Sequence, residues 1–303
     1  MPKGVLNIVT GFGPEAGAEL VSSPLVDKIA FTGSTMTGQL IMRAAAANLK
    51  KITLECGGKS ANIVLDDADM KLAVDGAMYA IFYHAGQCCE AGTRLLLPNS
   101  IADEFIHKLV EKTKRIKLGD PMQMATDMGP LVSQKQFDRV MGYINKGKAE
   151  GAKLLVGGEK SAECEKGFFI EPTIFDHVNN KATIAQEEIF GPVLSIIRYN
   201  TIDEAIALAN DSIYGLGGGV WSKDSERAMY VAKRLRAGTV WINEWHLLNE
   251  RAPFGGYKQS GIGREFGLYG LKEYTESKHI HIDEVGVREK KTWYDTVVPS
   301  SRP

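Results

Sequence analysis

Long blocks of like charge are absent from this 303-residue sequence: 36 basic and 37 acidic residues are interspersed and leave a net charge of -1. That excludes the basic footprint demanded by nucleic acid or an anionic membrane surface. Apolar runs are short and broken by glycine or charge, well under the roughly 20 residues a bilayer-spanning helix needs. Cysteine is scarce, with only Cys56, Cys88, Cys89 and Cys164. Two of these are adjacent, a pair that bridges only with strain, so no disulfide framework is expected. The scattered histidines and cysteines show no zinc-ligand spacing, and no metal is expected. The opening residues lack a secretory layout, which points to a cytoplasmic protein with reduced thiols. Neither an internal repeat nor a low-complexity linker is visible.

What is present is ordinary globular composition, 44% hydrophobic and 24% charged, with an alternation of two periods. Short β-branched runs at 5–9, 28–31, 51–54, 62–65, 94–97, 193–199, 219–221 and 239–243 read as strands. Between them, amphipathic stretches at 102–117, 134–150, 202–209 and 225–236 read as helices. The predicted fold is α/β with largely parallel sheets. Residues 275–283 alternate polar with β-branched and read either as an edge strand or as a strand seeking a partner.

Three segments carry chemistry. The first, Phe31-Thr32-Gly33-Ser34-Thr35-Met36-Thr37-Gly38, joins a strand to a helix. Its turn can aim free backbone N–H groups at a pyrophosphate, or can simply be a capped turn. The second, Leu54-Glu55-Cys56-Gly57-Gly58-Lys59-Ser60, puts a carboxylate at a strand's C-terminal end, where α/β proteins bind ligands. Desolvation there suits Glu55 to act as a base toward water, against the plainer alternative of a surface salt bridge. The third, Gly86-Gln87-Cys88-Cys89-Glu90-Ala91, presents a thiol in a glycine-bounded loop. That thiol is a nucleophile if its anion is stabilised and an inert packing residue if not.

Taken together, these segments resemble the active-site signatures of the aldehyde dehydrogenase superfamily, in the family's order and separation. Further matches are Gln186-Glu187-Glu188-Ile189-Phe190-Gly191-Pro192, Pro253-Phe254-Gly255-Gly256-Tyr257-Lys258 and Ser260-Gly261-Ile262-Gly263-Arg264-Glu265. The resemblance implies a parallel-sheet catalytic domain over residues 58–259. It also implies an incomplete Rossmann-like cofactor domain at 1–57, to which 260–303 return with a C-terminal oligomerisation strand. Cys89 then aligns with the nucleophile and Glu55 with the general base. Gly33, Ser34, Thr35 and Gly38 align with the cofactor turn, Glu188 with the clamp on the nicotinamide ribose, and Phe190 with the wall beside the nicotinamide. Tyr83, Cys88, Glu90, His246, Leu248 and Phe254 would line or border an aldehyde tunnel. If Glu90 and His246 face it, the aldehyde is polar or cationic.

The implied activity is NAD- or NADP-dependent oxidation of an aldehyde to a carboxylic acid, through a thiohemiacetal and a thioester on Cys89 that Glu55-activated water hydrolyses. The implied partners are a small-molecule aldehyde and further copies of the chain in a dimer or tetramer. Family members are longer at the N-terminus, and the chain is expected to lack their Pro-Trp-Asn oxyanion donor and the lysine that grips the adenosine ribose. His84 stands where many members have asparagine. Two other readings stand beside this one: an inactive truncated remnant, and a cofactor-free thiol esterase.

Overall fold

The computed structural model describes residues 1–162, 164 and 166–297. Two compact units emerge, Met1–Glu273 and Tyr274–Pro303. In the first, strands β1 (Lys28–Thr32), β2 (Lys51–Glu55), β3 (Ala61–Val64), β4 (Arg94–Pro98), β5 (Lys153–Val156), β6 (Thr173–Asp176), β7 (Val193–Tyr199), β8 (Gly217–Trp221), β9 (Thr239–Ile242) and β10 (Gly261–Ile262) form two sheets. A small sheet runs β1-β2-β10 and a large one β5-β6-β7-β4-β3-β8-β9. Pairing is parallel except for β5 with β6 and β10 with β2.

The large sheet is buried along most of its strands, as parallel sheets require. Every residue of β3, β4, β6 and β8 is buried. The main helices are α1 (Ala18–Ser22), α2 (Thr35–Ala45), α3 (Met70–Phe82), α4 (Ala102–Thr113), α5 (Gln134–Ala149), α6 (Thr183–Gln186), α7 (Ile202–Asn210), α8 (Ser225–Ala232) and α9 (Gly267–Lys272). Side-chain oxygens of Ser34, Asp69, Ser133, Thr201 and Asp224 cap α2, α3, α5, α7 and α8, each cap contributing about 1 kcal/mol. No helix of the described residues is long and apolar enough to cross a membrane.

Two expected strands do not form. Residues 5–9 and 275–283 are exposed and take no strand structure. Alternation gives a segment the capacity to pair, but a strand forms only where a neighbour supplies the other half of the ladder. The second unit instead carries short 3₁₀ turns at Arg288–Lys290 and Thr292–Thr296, tied by Arg288 to Asp295 at 2.6 Å.

The architecture places the chemistry by opposing the sheets' ends. Segments leaving β1 and β2 at their carboxyl ends meet the loops that enter β4 and β7 at their amino ends, and together they line a cleft of about 630 Å³.

Candidate active site

The glycine-bounded loop begins with an abrupt reversal after α3. His84, Ala85 and Gly86 take φ of 51°, 54° and 70° in succession, the left-handed region that asparagine and glycine enter most readily. At Gly86 a Cβ would lie 2.2 Å from the Gly191 carbonyl oxygen, so the crossing of two cleft loops requires glycine. The reversal delivers Cys88, Cys89 and Glu90 to the cleft wall. Cys89 Sγ donates to Glu90 Oε2 at 3.1 Å, and Glu90 Oε1 lies 2.9 Å from His246 Nδ1.

Burial and the neighbouring Glu90 carboxylate, both as charge and as hydrogen-bond acceptor, hold the Cys89 thiol far above its ordinary pKa. Burial works to raise Glu90 as well, but hydrogen bonds from His246 and Cys89 outweigh it and hold the carboxyl below its usual value. At rest the pair is a thiol beside a carboxylate. The Cys88 thiol is pushed up to about 11 by burial and then by Glu90.

Glu55 ends β2 on the opposite wall, 5% exposed, and its Oε2 has no hydrogen-bond partner among the described residues. Burial, reinforced by Glu265 and opposed by Arg264, raises its carboxyl to about 8. At neutral pH most of these carboxyls hold their proton, and the ionised remainder is a base toward water strengthened by the same burial. Behind it, Gly57 and Gly58 let neighbours approach the backbone closely. A Cβ on Gly57 would sit 2.3 Å from Glu188 Oε2, and one on Gly58 2.4 Å from the Cys89 carbonyl oxygen. The Gly58 N–H donates to Glu188 Oε1 at 3.3 Å, yet burial still raises the Glu188 carboxyl.

Of the residues singled out in the sequence, Gly33, Ser34, Glu55, Cys88, Cys89, Glu90, Glu188 and Phe190 line this one cleft. Tyr83 and His246 stand behind Glu90, ring centroids 5.3 Å apart. The other four do not line it. The Thr35 hydroxyl donates to the Gln259 carbonyl at 3.2 Å. Gly38 faces Cys56, whose Sγ would be 2.7 Å from an added Cβ, so it serves the packing of α2 on β2. Phe254 is buried, its backbone paired with Glu265, and Leu248 is 45% exposed.

Sequence reading missed Gln136 and Arg139, which also line the cleft. Gln136 donates to the carbonyls of Ile189 and Phe190 at 3.0 and 2.8 Å, and Arg139 to that of Glu188 at 2.5 Å. They pin the loop carrying Glu188 and Phe190. The available signal was their i, i+3 spacing on one face of α5.

The aldehyde dehydrogenase family model matches residues 1–280. The chain belongs to the aldehyde dehydrogenase family. It is 53% identical over 283 residues to betaine aldehyde dehydrogenase of Bacillus subtilis, covering 93% of this chain and 58% of that protein. With human mitochondrial aldehyde dehydrogenase it shares 50% identity over 282 residues, 93% of this chain and 54% of that protein. A solved NAD+ complex of aldehyde dehydrogenase from Bacillus cereus superposes with a TM-score of 0.89 at 50% identity, over 90% of this chain and 55% of that one. The chain thus spans little more than half the length of the aldehyde dehydrogenases it matches.

Proposed function

We propose that the cleft is the thiol site of an NAD- or NADP-dependent aldehyde dehydrogenase. The observation that carries this reading is that Cys89, Glu55 and Glu188 open onto a single cavity. The residues present fit a dinucleotide in two respects. Glu188 lines the cavity with its carboxylate seated over Gly57, where an acceptor suits a ribose hydroxyl. The N-terminus of α2 at Gly33 and Ser34 meets the same cavity, where its first-turn amides suit a phosphate. In this reading residues 1–57 and 260–303 serve the cofactor and 58–259 the catalysis.

The chemistry begins with loss of the Cys89 proton, which already points to Glu90 Oε2. The thiolate sulfur adds to the aldehyde carbon, and amides of the 86–90 loop hold the resulting oxyanion. A bound nicotinamide supplies the acceptor for the hydride that leaves this carbon, so that a thioester remains on Cys89. Glu55 then takes a proton from water, the water oxygen attacks the thioester carbonyl, and the acid departs as the thiol is restored.

We further propose a cationic or strongly polar aldehyde. Glu90 and His246 present a carboxylate–imidazole pair 2.9 Å apart, bordered by the Tyr79 and Tyr83 rings at 5.3 Å from the imidazole. Rings and a carboxylate together favour a cation over an alkyl chain, and the Bacillus subtilis relative is named for betaine aldehyde. The cytosol and a dimer or tetramer that pairs residues 275–283 between copies complete the proposal.

The test incubates the chain with betaine aldehyde, benzaldehyde or hexanal and NAD or NADP, following absorbance of the reduced cofactor. Turnover abolished by Cys89→Ser and greatest with betaine aldehyde is expected. Hydrolysis of p-nitrophenyl acetate without any cofactor-dependent oxidation identifies a thiol esterase instead, a reading favoured only by Cys89 and Glu55 sharing the cleft. Neither activity identifies a remnant.

A further inference from the structure

Spacing along the chain gives no hint of a metal, yet the fold brings His246 beside two residues that flank the nucleophile. We infer that Cys88, Glu90 and His246 form a binding site for a borderline-soft divalent cation of the zinc class. One ligand atom from each, a thiol sulfur, a carboxylate oxygen and an imidazole nitrogen, lies within 4.8 Å of the other two. The tightest pair, Glu90 Oε1 and His246 Nδ1, is already 2.9 Å apart. Zinc bond lengths of about 2.0–2.3 Å put tetrahedral donors roughly 3.5 Å apart, so binding widens the Glu90–His246 pair by about half an ångström and draws Cys88 in by at most about one.

The His246 ring is held ready for a ligand at Nδ1: the side chain is 4% exposed, so water competes little for that nitrogen. The rings of Tyr79, Tyr83 and Trp245 pack around this imidazole, which fixes its plane before any ligand arrives.

The donor set also selects the ion. One sulfur, one nitrogen and one carboxylate, with the cleft open for water as a fourth ligand, match the coordination of zinc, cobalt(II) or cadmium. Magnesium and calcium, which require shells of oxygen, find one carboxylate here. On binding, the Cys88 thiol gives its proton to solvent as the sulfur–metal bond forms. The site does not depend on whether the chain turns over an aldehyde, because all three ligands act without Cys89 Sγ and without a nucleotide.

The experiment strips the 303-residue chain of metal with a chelator and titrates cobalt(II) under reducing conditions. A thiolate-to-cobalt charge-transfer band that saturates at one equivalent is expected, with displacement by zinc and none by excess magnesium. Cys88→Ser abolishes the band, Cys89→Ser retains it, and His246→Gln weakens binding about tenfold or more. Circular dichroism of each variant establishes folding, and the half-buried Cys88 position decides the matter should His246→Gln not fold. A band that is absent, that survives Cys88→Ser, or that is lost in Cys89→Ser overturns the assignment; the last result identifies the two adjacent thiols as the chelator.

Discussion

At the residue scale, the hydrogen bond from Cys89 to Glu90 makes the site self-restraining. A carboxylate 3.1 Å from the sulfur stabilises the thiol and opposes the thiolate, so the resting Cys89 sulfur is protonated at neutral pH. Replacing the charge while keeping the shape removes much of that opposition. Glu90→Gln is therefore expected to speed iodoacetamide modification of Cys89 at pH 7 by about tenfold or more, since one pKa unit is one decade of thiolate. Peptide mapping by mass spectrometry reads the rate at Cys89 separately from Cys88, and an unchanged rate would remove Glu90 from the account. A cationic aldehyde beside Glu90 would act in the same direction as the substitution, coupling substrate charge to nucleophile ionisation.

At the scale of elements, one buried side chain joins four segments. Arg94, at the start of β4 and 2% exposed, donates through Nε to the Lys59 carbonyl and through its terminal nitrogens to Asn180 and to the carbonyls of Leu208 and Ala209. Arg94→Ala removes these four hydrogen bonds from a buried site, and is expected to cost about 3 kcal/mol or more. The midpoint of urea unfolding measures it. A shift smaller than that of an exposed substitution such as Lys223→Ala would contradict the bridging role.

The same scale shows what the sequence made legible. Strands β1, β2, β3, β4, β7, β8 and β9 and helices α4, α5, α7 and α8 stand where the apolar periods put them, with ends shifted by a few residues. Strands β5, β6 and β10 were missed; β10 has only two residues, too few to register a period. Cys89 and Glu55 were legible as local motifs, and their convergence on one cleft follows from sheet pairing. The Gln136 and Arg139 hold on the Glu188 loop was not, because it depends on tertiary neighbours; the resemblance put Glu90 and His246 at one tunnel, and the fold adds their 2.9 Å contact across 156 positions. The asparagine expected at position 84 has a physical basis in its φ of 51°, a region that histidine tolerates and β-branched residues do not.

At the scale of the whole molecule, a cleft between opposed sheet ends desolvates acids from both sides, and that imprints on stability. Glu55 has an ordinary pKa of 4.5 and a folded value of about 8. A carboxyl that holds its proton more tightly when folded contributes stability fully below 4.5 and loses it as pH rises, with nothing left above about 8. Unfolding free energy is accordingly expected to decline through this window, and Glu55→Gln, which cannot ionise, to flatten the decline. Chemical denaturation from pH 4.5 to 8.5 measures the slope for both proteins, and equal slopes would show that Glu55 is not the source.

The guarded sulfur also has a consequence for the molecule outside catalysis. Peroxide consumes thiolates far faster than thiols, and thioethers need no ionisation at all. With Cys89 kept protonated in its wall and Met124 projecting fully into solvent, oxidative wear in aerated solution reaches such surface thioethers before Cys89.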